Sequence, residues 1–165
     1  MTFLRSPRVL LVLRLLLGAY FVYASLDKIA SPAAFARIVY QWQVAGPVPS
    51  NLVAVTLPWI ELLAGTLLVL GAWRREAALV IALLLAVFLG AATSVLARGI
   101  DVLNCGCTSL AKEATDASWP PPWARGVGWF LMTRNTLWLG AALLIAATPV
   151  DRRGAPAPPA GPADA

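Results

Sequence analysis

The chain of 165 residues contains no histidine, and it contains only two cysteines. The absence of histidine excludes imidazole acid–base catalysis and histidine-ligated metal or haem by this chain alone. Charged residues are also scarce, at 13%, whereas 59% of the residues are hydrophobic. A soluble domain of this size needs more charge to cover its surface. These absences favour a protein that lies in a membrane.

The apolar residues form four long runs, and an α-helix needs about 20 such residues to cross roughly 30 Å of hydrocarbon. They predict an all-α membrane protein, a four-helix transmembrane bundle with spans at about 9–26, 51–71, 77–97 and 127–147. The runs are continuous rather than alternating, which argues against a membrane β-barrel. We therefore expect one transmembrane domain over residues 1–150, and a disordered tail, rich in proline and alanine, over 151–165.

The first run also has features of a signal peptide, namely a basic start, an apolar stretch and small residues at its end. Arg14 interrupts the stretch, which exceeds the ~7–15 apolar residues of a signal core. Lys28 suits the end of a helix that stays in the membrane. We therefore expect a retained first span.

The basic residues indicate an orientation through the positive-inside rule. A cytoplasmic N-terminus places seven of them inside, namely Arg5, Arg8, Arg14, Arg74, Arg75, Arg152 and Arg153. It places five outside, namely Lys28, Arg37, Arg98, Lys112 and Arg125. We predict an inner (cytoplasmic) membrane protein with both termini in the cytoplasm and loops 27–50 and 98–126 outside. Basic residues at span ends fit lipid head groups, so nucleic acid is not an expected partner despite the net charge of +5.

The first outer loop contains an amphipathic segment. Ser31-Pro32 fits a helix start, with serine as N-cap and proline at the first helical position. One face of the following helix carries the apolar residues Phe35, Ile38, Val39 and Trp42. The pattern predicts a short amphipathic helix at the membrane interface, or alternatively a helix that packs on the bundle.

The two cysteines, Cys105 and Cys107, are separated by one glycine in the second outer loop. A disulfide between them closes a small, strained ring, and strained exposed disulfides are labile and more oxidising. The ring is too short to act as an effective structural staple. A redox-active catalytic dithiol, a structural or incidental pair, and half of a zinc site remain three interpretations, and no metal is assigned. Without histidine, a nearby cation such as Arg98, Lys112 or Arg125 would have to favour the thiolate.

Three charged side chains, Arg14, Glu61 and Arg134, lie inside the predicted spans. Such charges are costly in hydrocarbon and usually face the bundle interior in pairs. Counting the helical rise places Glu61 and Arg134 at similar depths, so we expect them to pair, with Arg14 as a second partner for Glu61. Glu61, Arg134 and the deeply placed Trp59 are also candidate cofactor-binding residues, with quinone as the candidate cofactor. The alternative is that the pair only fixes the helix register.

Several short motifs together resemble the DoxX/MauE family of redox-associated integral membrane proteins. They are Leu26-Asp27-Lys28-Ile29 with Pro32 and Phe35, Pro58-Trp59-Ile60-Glu61-Leu62-Leu63-Ala64-Gly65, Arg98-Gly99 before Cys105-Gly106-Cys107, and Arg134-Asn135. The family's cysteine motif often follows Asp and continues with Phe-Gly. This chain has Asn104 and Thr108-Ser109 at those positions.

The resemblance implies a four-helix membrane protein linked to thiol–disulfide chemistry outside the cytoplasm. MauE, the methylamine-utilisation member, is associated with maturation of a disulfide-rich periplasmic enzyme. We therefore predict a membrane thiol–disulfide oxidoreductase or its electron-transfer subunit, with quinone as a candidate electron acceptor. Its expected partner outside the cytoplasm is a thioredoxin-like or disulfide-containing protein. A non-enzymatic membrane scaffold is the alternative, and a small-solute transporter is less favoured because the spans lack a pair broken by glycine or proline.

Overall fold

The computed structural model describes residues 6–44, 46–100 and 128–148. These ranges contain five helices and no strand: α1 (Pro7–Ala30), α2 (Pro32–Gln41), α3 (Pro47–Leu70), α4 (Arg74–Ala97) and α5 (Trp129–Ala147). All except α2 are long and apolar enough to cross a membrane. The predicted four-span all-α bundle is therefore confirmed. The cysteine pair and the tail 151–165 lie outside the described residues.

Proline sets the start of three helices. Pro7, Pro32 and Pro47 each occupy the first helical position, where the missing amide would have had no partner. The hydroxyl of Ser6 caps α1 by accepting a hydrogen bond from the Val9 amide at 3.4 Å. Helix α1 also continues four residues beyond the predicted end at 26, so Lys28 belongs to the helix rather than to a loop.

The most extensive helix interface joins α1 and α3, followed by that between α4 and α5. Gly18 and Gly65 let the backbones of α1 and α3 approach closely. A Cβ atom on Gly18 would lie 2.9 Å from the Gly65 carbonyl oxygen, and one on Gly65 would lie 3.0 Å from the Gly18 carbonyl oxygen. Small residues at such contacts are the usual means by which membrane helices pack.

The outer surface of the bundle is strongly apolar. At most 33% of the most hydrophobic window in each span is buried, and large side chains such as Leu63, Leu83 and Leu137 are exposed. Lipid tails cover such a surface at no cost, whereas water would not. Trp59 belongs to this surface and is 59% exposed, so it does not line the interior of the bundle.

Helix α2 packs on the bundle, as the second of the two sequence interpretations proposed. Its residues Phe35 and Ile38 are buried, as is Trp42 just after it, in a cluster with residues of α3, α4 and α5. The Trp42 ring lies 5.0 Å from that of Phe88 on α4. The apolar face of α2 is therefore satisfied by protein contacts.

The bundle has two distinct ends. At one, which we call the N-terminal end, Pro7, Arg74 and Thr148 line a single pocket. Helices α1 and α4 therefore start there, and α5 ends there. The opposite end, which we call the α2 end, carries α2, and the segment with the cysteine pair continues from it after Ile100.

Candidate functional site

A buried ion pair joins α1 and α3 inside the bundle. The Lys28 ammonium nitrogen lies 2.6 Å from one carboxylate oxygen of Glu61 and 2.9 Å from the other. The two side chains are only 8% and 10% exposed. Lys28 Nζ also lies 5.2 Å from the centre of the Phe35 ring, so the cation contacts α2 as well. The pair thus connects three helices with one set of contacts.

Side-chain direction explains why these two residues meet. The close approach of Gly18 and Gly65 sets the antiparallel register of α1 and α3. In that register Glu61 lies about a turn or more closer to the N-terminal end than Lys28 does. Helical side chains lean towards the start of their own helix. Because α1 and α3 run in opposite directions, Lys28 and Glu61 lean towards each other and close the gap.

The pairing corrects the expectation that Glu61 would bind Arg134. The Arg134 guanidinium carbon lies 5.7 Å from the centre of the Tyr20 ring instead. Arg14 is not a partner of Glu61 either, since it lines the pocket at the N-terminal end. Depth alone did not decide the partner, because the long lysine side chain reaches across more than one turn.

A small cavity of about 60 Å³ adjoins the ion pair. Its lining includes Lys28, Glu61, Tyr20 and Asn135, together with apolar residues of α1, α3 and α4. A cavity of this size holds a few water molecules, since one needs roughly 10–15 Å³. The polar groups of α1, α3 and α5 therefore converge on a space that water fits.

Asn135 on α5 is a polar residue of this cavity whose amide nitrogen has no partner in the described part of the chain. It is 3% exposed, and its amide nitrogen has no hydrogen-bond acceptor among the described residues. A buried donor of this kind is normally satisfied by water or ligand. Beside it, the Tyr20 ring stacks on Trp138 at 5.5 Å, which holds α1 against α5.

The cavity does not fit a quinone ring. Pockets for organic ligands usually measure about 300 Å³ or more, several times the volume beside Glu61. Of the three candidate cofactor residues, Glu61 lines the cavity. Arg134 lies beside the ring of Tyr20, which is itself part of the cavity wall. Trp59 does not join them, because two residues along a helix turn its side chain by about 200° from Glu61. The structure thus describes a polar site sized for water.

Arg98 ties α2 to the end of α4. Its guanidinium donates to the carbonyl oxygens of Trp42 at 2.9 Å and Gln43 at 2.8 Å, which follow α2. It also donates to the Ser94 carbonyl at 3.0 Å within its own helix. Carbonyls at a helix end lack partners inside the helix, and basic side chains commonly supply them. Arg98 stands seven residues before Cys105 in the chain, so this contact fixes the base of the cysteine segment.

Lys28, Tyr20 and Asn135 are the site residues whose contacts to Glu61 or its cavity the sequence interpretation missed. A signal existed for Lys28. It lies ten residues after Gly18, and Phe21 and Ser25 connect the two at helical spacing, so all four share one face. No group of three or more His, Cys, Asp or Glu side chains in the described ranges could hold a metal ion. The contacts described for the ion pair give it a positioning role between α1, α2 and α3.

Comparison with known proteins identifies the family. The sequence profile of the family described as "Methylamine utilisation protein MauE" matches residues 6–148. A curated relative, "Methylamine utilization protein MauE" of Paracoccus denitrificans, is 32% identical over 144 residues, which is 87% of this chain and 72% of the relative. No solved structure matches. The MauE part of the resemblance is confirmed, and the wider DoxX grouping stays a prediction.

Proposed function

Because this chain belongs to the MauE family of integral membrane proteins, we propose that it is a membrane thiol–disulfide redox protein that supports methylamine utilisation. Its working group is the pair Cys105 and Cys107, held on the outer side of the inner membrane. Its partner is an extracytoplasmic protein that is thioredoxin-like or carries disulfides. The bundle supplies the platform, and its two termini face the cytoplasm.

The observation that carries the proposal is the anchored start of the cysteine segment. Arg98 holds the end of α4 and the end of α2 together, seven residues before Cys105. The cysteines are the two thiols of the chain. A partner that docks on the α2 end, beside this anchored start, would lie close in the chain to the cysteines, and such nearness favours exchange with one partner protein.

In the exchange step, a partner dithiol loses two electrons and two protons and becomes a disulfide. The Cys105–Cys107 disulfide takes up the same electrons and protons and becomes two thiols. One cysteine forms the mixed disulfide with the partner, and the other resolves it. Reoxidation of the pair needs a separate acceptor, and a quinone in that role would meet the protein outside the small cavity beside Glu61.

The test replaces the two cysteines separately and together by serine in cells that depend on this protein for growth on methylamine. Each single variant should abolish that growth while membrane abundance stays unchanged. A single-cysteine variant should also trap the partner as an adduct that a reducing agent releases. Ser109→Ala, two residues beyond Cys107, is the matched control and should grow normally.

The second candidate is a non-enzymatic scaffold subunit, which the buried ion pair and the packed α2 also suit. The double cysteine variant separates the two functions. Full growth of that variant on methylamine would overturn the redox function and leave the scaffold. Loss of growth together with loss of the protein from the membrane would show that the cysteines stabilise the fold, which also overturns the redox function.

A further inference from the structure

A second polar pocket lies at the N-terminal end of the bundle, far from the ion pair. It measures about 250 Å³ and lies between the start of α1, the start of α4 and the end of α5. Two arginines from different helices, Arg14 and Arg74, contribute to its lining. The other lining residues in the described part of the chain are apolar or neutral: Pro7, Leu10, Leu11, Ile145 and Thr148.

The positive charge of Arg14 has no counter-ion in the described part of the chain. Arg14 forms no ion pair with any described residue, and its buried Nε–H has no acceptor there. Glu76, the one acidic residue at this end within the described ranges, is exposed and does not line the pocket. A buried charged donor such as the Nε–H of Arg14 requires an acceptor, because leaving it unsatisfied is costly.

The Arg14 guanidinium lies against the end of α3. It covers Gly71, the residue with φ of 78° that ends this helix. A Cβ atom at Gly71 would lie 2.6 Å from Arg14 Nη1. Gly71 therefore allows the left-handed turn and also leaves room for the guanidinium at the pocket.

The remaining lining points to lipid as the source of that anion. Leu11 is 47% exposed on the outer surface, and Leu10 lies beside it in the wall. The pocket thus joins two guanidinium groups to a surface that acyl chains cover. Arginine binds phosphate by paired hydrogen bonds, and basic pockets between membrane helices suit anionic head groups.

We propose that the pocket formed by Arg14, Arg74 and Leu11 binds the phosphate of an anionic phospholipid whose acyl chains lie along α1. The site would fix the bundle in one leaflet and hold the starts of α1 and α4 together. It is independent of the cysteine pair and of the exchange reaction at the opposite end.

Native mass spectrometry of the full-length protein in a neutral detergent tests this site. Phosphatidylglycerol, phosphatidylcholine and inorganic phosphate are added in separate arms. The wild-type protein should retain phosphatidylglycerol in preference to phosphatidylcholine and should not retain phosphate. Arg14→Gln should weaken phosphatidylglycerol retention by about fivefold, the effect of one basic side chain near an anionic surface.

Arg75→Gln is the matched control, because it removes the same charge from the neighbouring exposed position at this end. Equal losses in Arg75→Gln and Arg14→Gln would reduce the effect to bulk charge and overturn the site. Retention of inorganic phosphate that Arg14→Gln abolishes would assign the pocket to a soluble anion and overturn the lipid. Arg14→Lys keeps the charge and guards against misfolding. Its retention of phosphatidylglycerol should lie between that of the wild-type protein and that of Arg14→Gln. Retention equal to the wild-type value would contradict the paired hydrogen bonds.

Discussion

Two cations of helix α1, Lys28 and Arg14, lie towards opposite ends of the bundle, and their surroundings differ. Lys28 lies 2.6 Å from the carboxylate of Glu61 on α3. Arg14 meets no carboxylate among the described residues and lines a pocket instead. The contrast shows that two cations on the same membrane helix can have different surroundings. A carboxylate on the facing helix pairs with the charge inside the protein, and without one the charge is available to a ligand.

The largest effect on stability is expected at the buried pair of Lys28 and Glu61. Glu61→Gln leaves the Lys28 ammonium buried without its counter-ion, and removal of one member of a buried pair costs about 3–5 kcal/mol. We expect the free energy of unfolding in mild detergent to fall by roughly that amount. Glu76→Gln, which alters an exposed acid at the other end, should change it little.

A double-mutant cycle identifies the partner of Glu61. Glu61→Gln combined with Lys28→Gln should cost clearly less than the sum of the two single changes. Glu61→Gln combined with Arg134→Gln should be close to additive. Strong coupling to Arg134 and none to Lys28 would restore the pairing expected from depth and contradict the geometry described above.

The second effect concerns the register that brings the pair together. Gly18→Ala places a Cβ 2.9 Å from the Gly65 carbonyl oxygen, and backbone cannot move aside as a flexible side chain does. Overpacking of this kind costs about 1–3 kcal/mol. Gly90→Ala is the control, because nothing lies within 4 Å of its added Cβ. Equal thermal stability of the two variants would mean that α1 and α3 are not in close contact.

A smaller effect is expected at the base of the cysteine segment. Arg98→Lys keeps the charge but loses the forked contact to the Trp42 and Gln43 carbonyls, so the loss should stay below about 1.5–3 kcal/mol, the contribution of a hydrogen bond from a charged group. Hydrogen exchange should rise at the end of α2, and the cysteine pair should react more slowly with its partner. Arg37→Lys is the control, since Arg37 bonds only to Ala33 in its own helix. Unchanged exchange at α2 would show that Arg98 does not hold it.

The smallest effect on stability is expected at Arg14, at the N-terminal end of the bundle. The change in the free energy of unfolding should depend on the lipid that is present. In neutral detergent Arg14→Gln removes a cation that has no counter-ion among the described residues, so unfolding should shift by less than about 1 kcal/mol. With phosphatidylglycerol present, the same variant should be less stable than the wild-type protein. An equal loss in both media would place the partner of Arg14 within the protein and remove the contrast with Lys28.

The sequence predicted the bundle well because hydrocarbon thickness dictates span length, and apolar runs report it directly. It also identified Glu61 as an interior charge. The prediction missed Lys28 as the partner because the apolar run ends before this lysine. The helical spacing from Gly18 to Lys28 was the signal that places it on the inner face. Trp59 was misplaced because hydropathy gives the depth of a residue but not the direction of its side chain around the helix axis. Its 200° separation from Glu61 on α3 was available from helix geometry and gives the correct surface.

The buried ion pair also bears on how the chain enters the membrane. Helices leave the ribosome in order, so α1 is in place before α3 is made. Lys28, near the end of α1, can extend to the water interface while it waits. Glu61 has no such escape, since it stands fourteen residues after Pro47 and nine before Leu70. We therefore expect newly made α3 to meet the Lys28 ammonium on an α1 that is already inserted in the bilayer. We also expect α1 to assist the insertion of α3, whose central carboxylate is costly in hydrocarbon without a counter-ion.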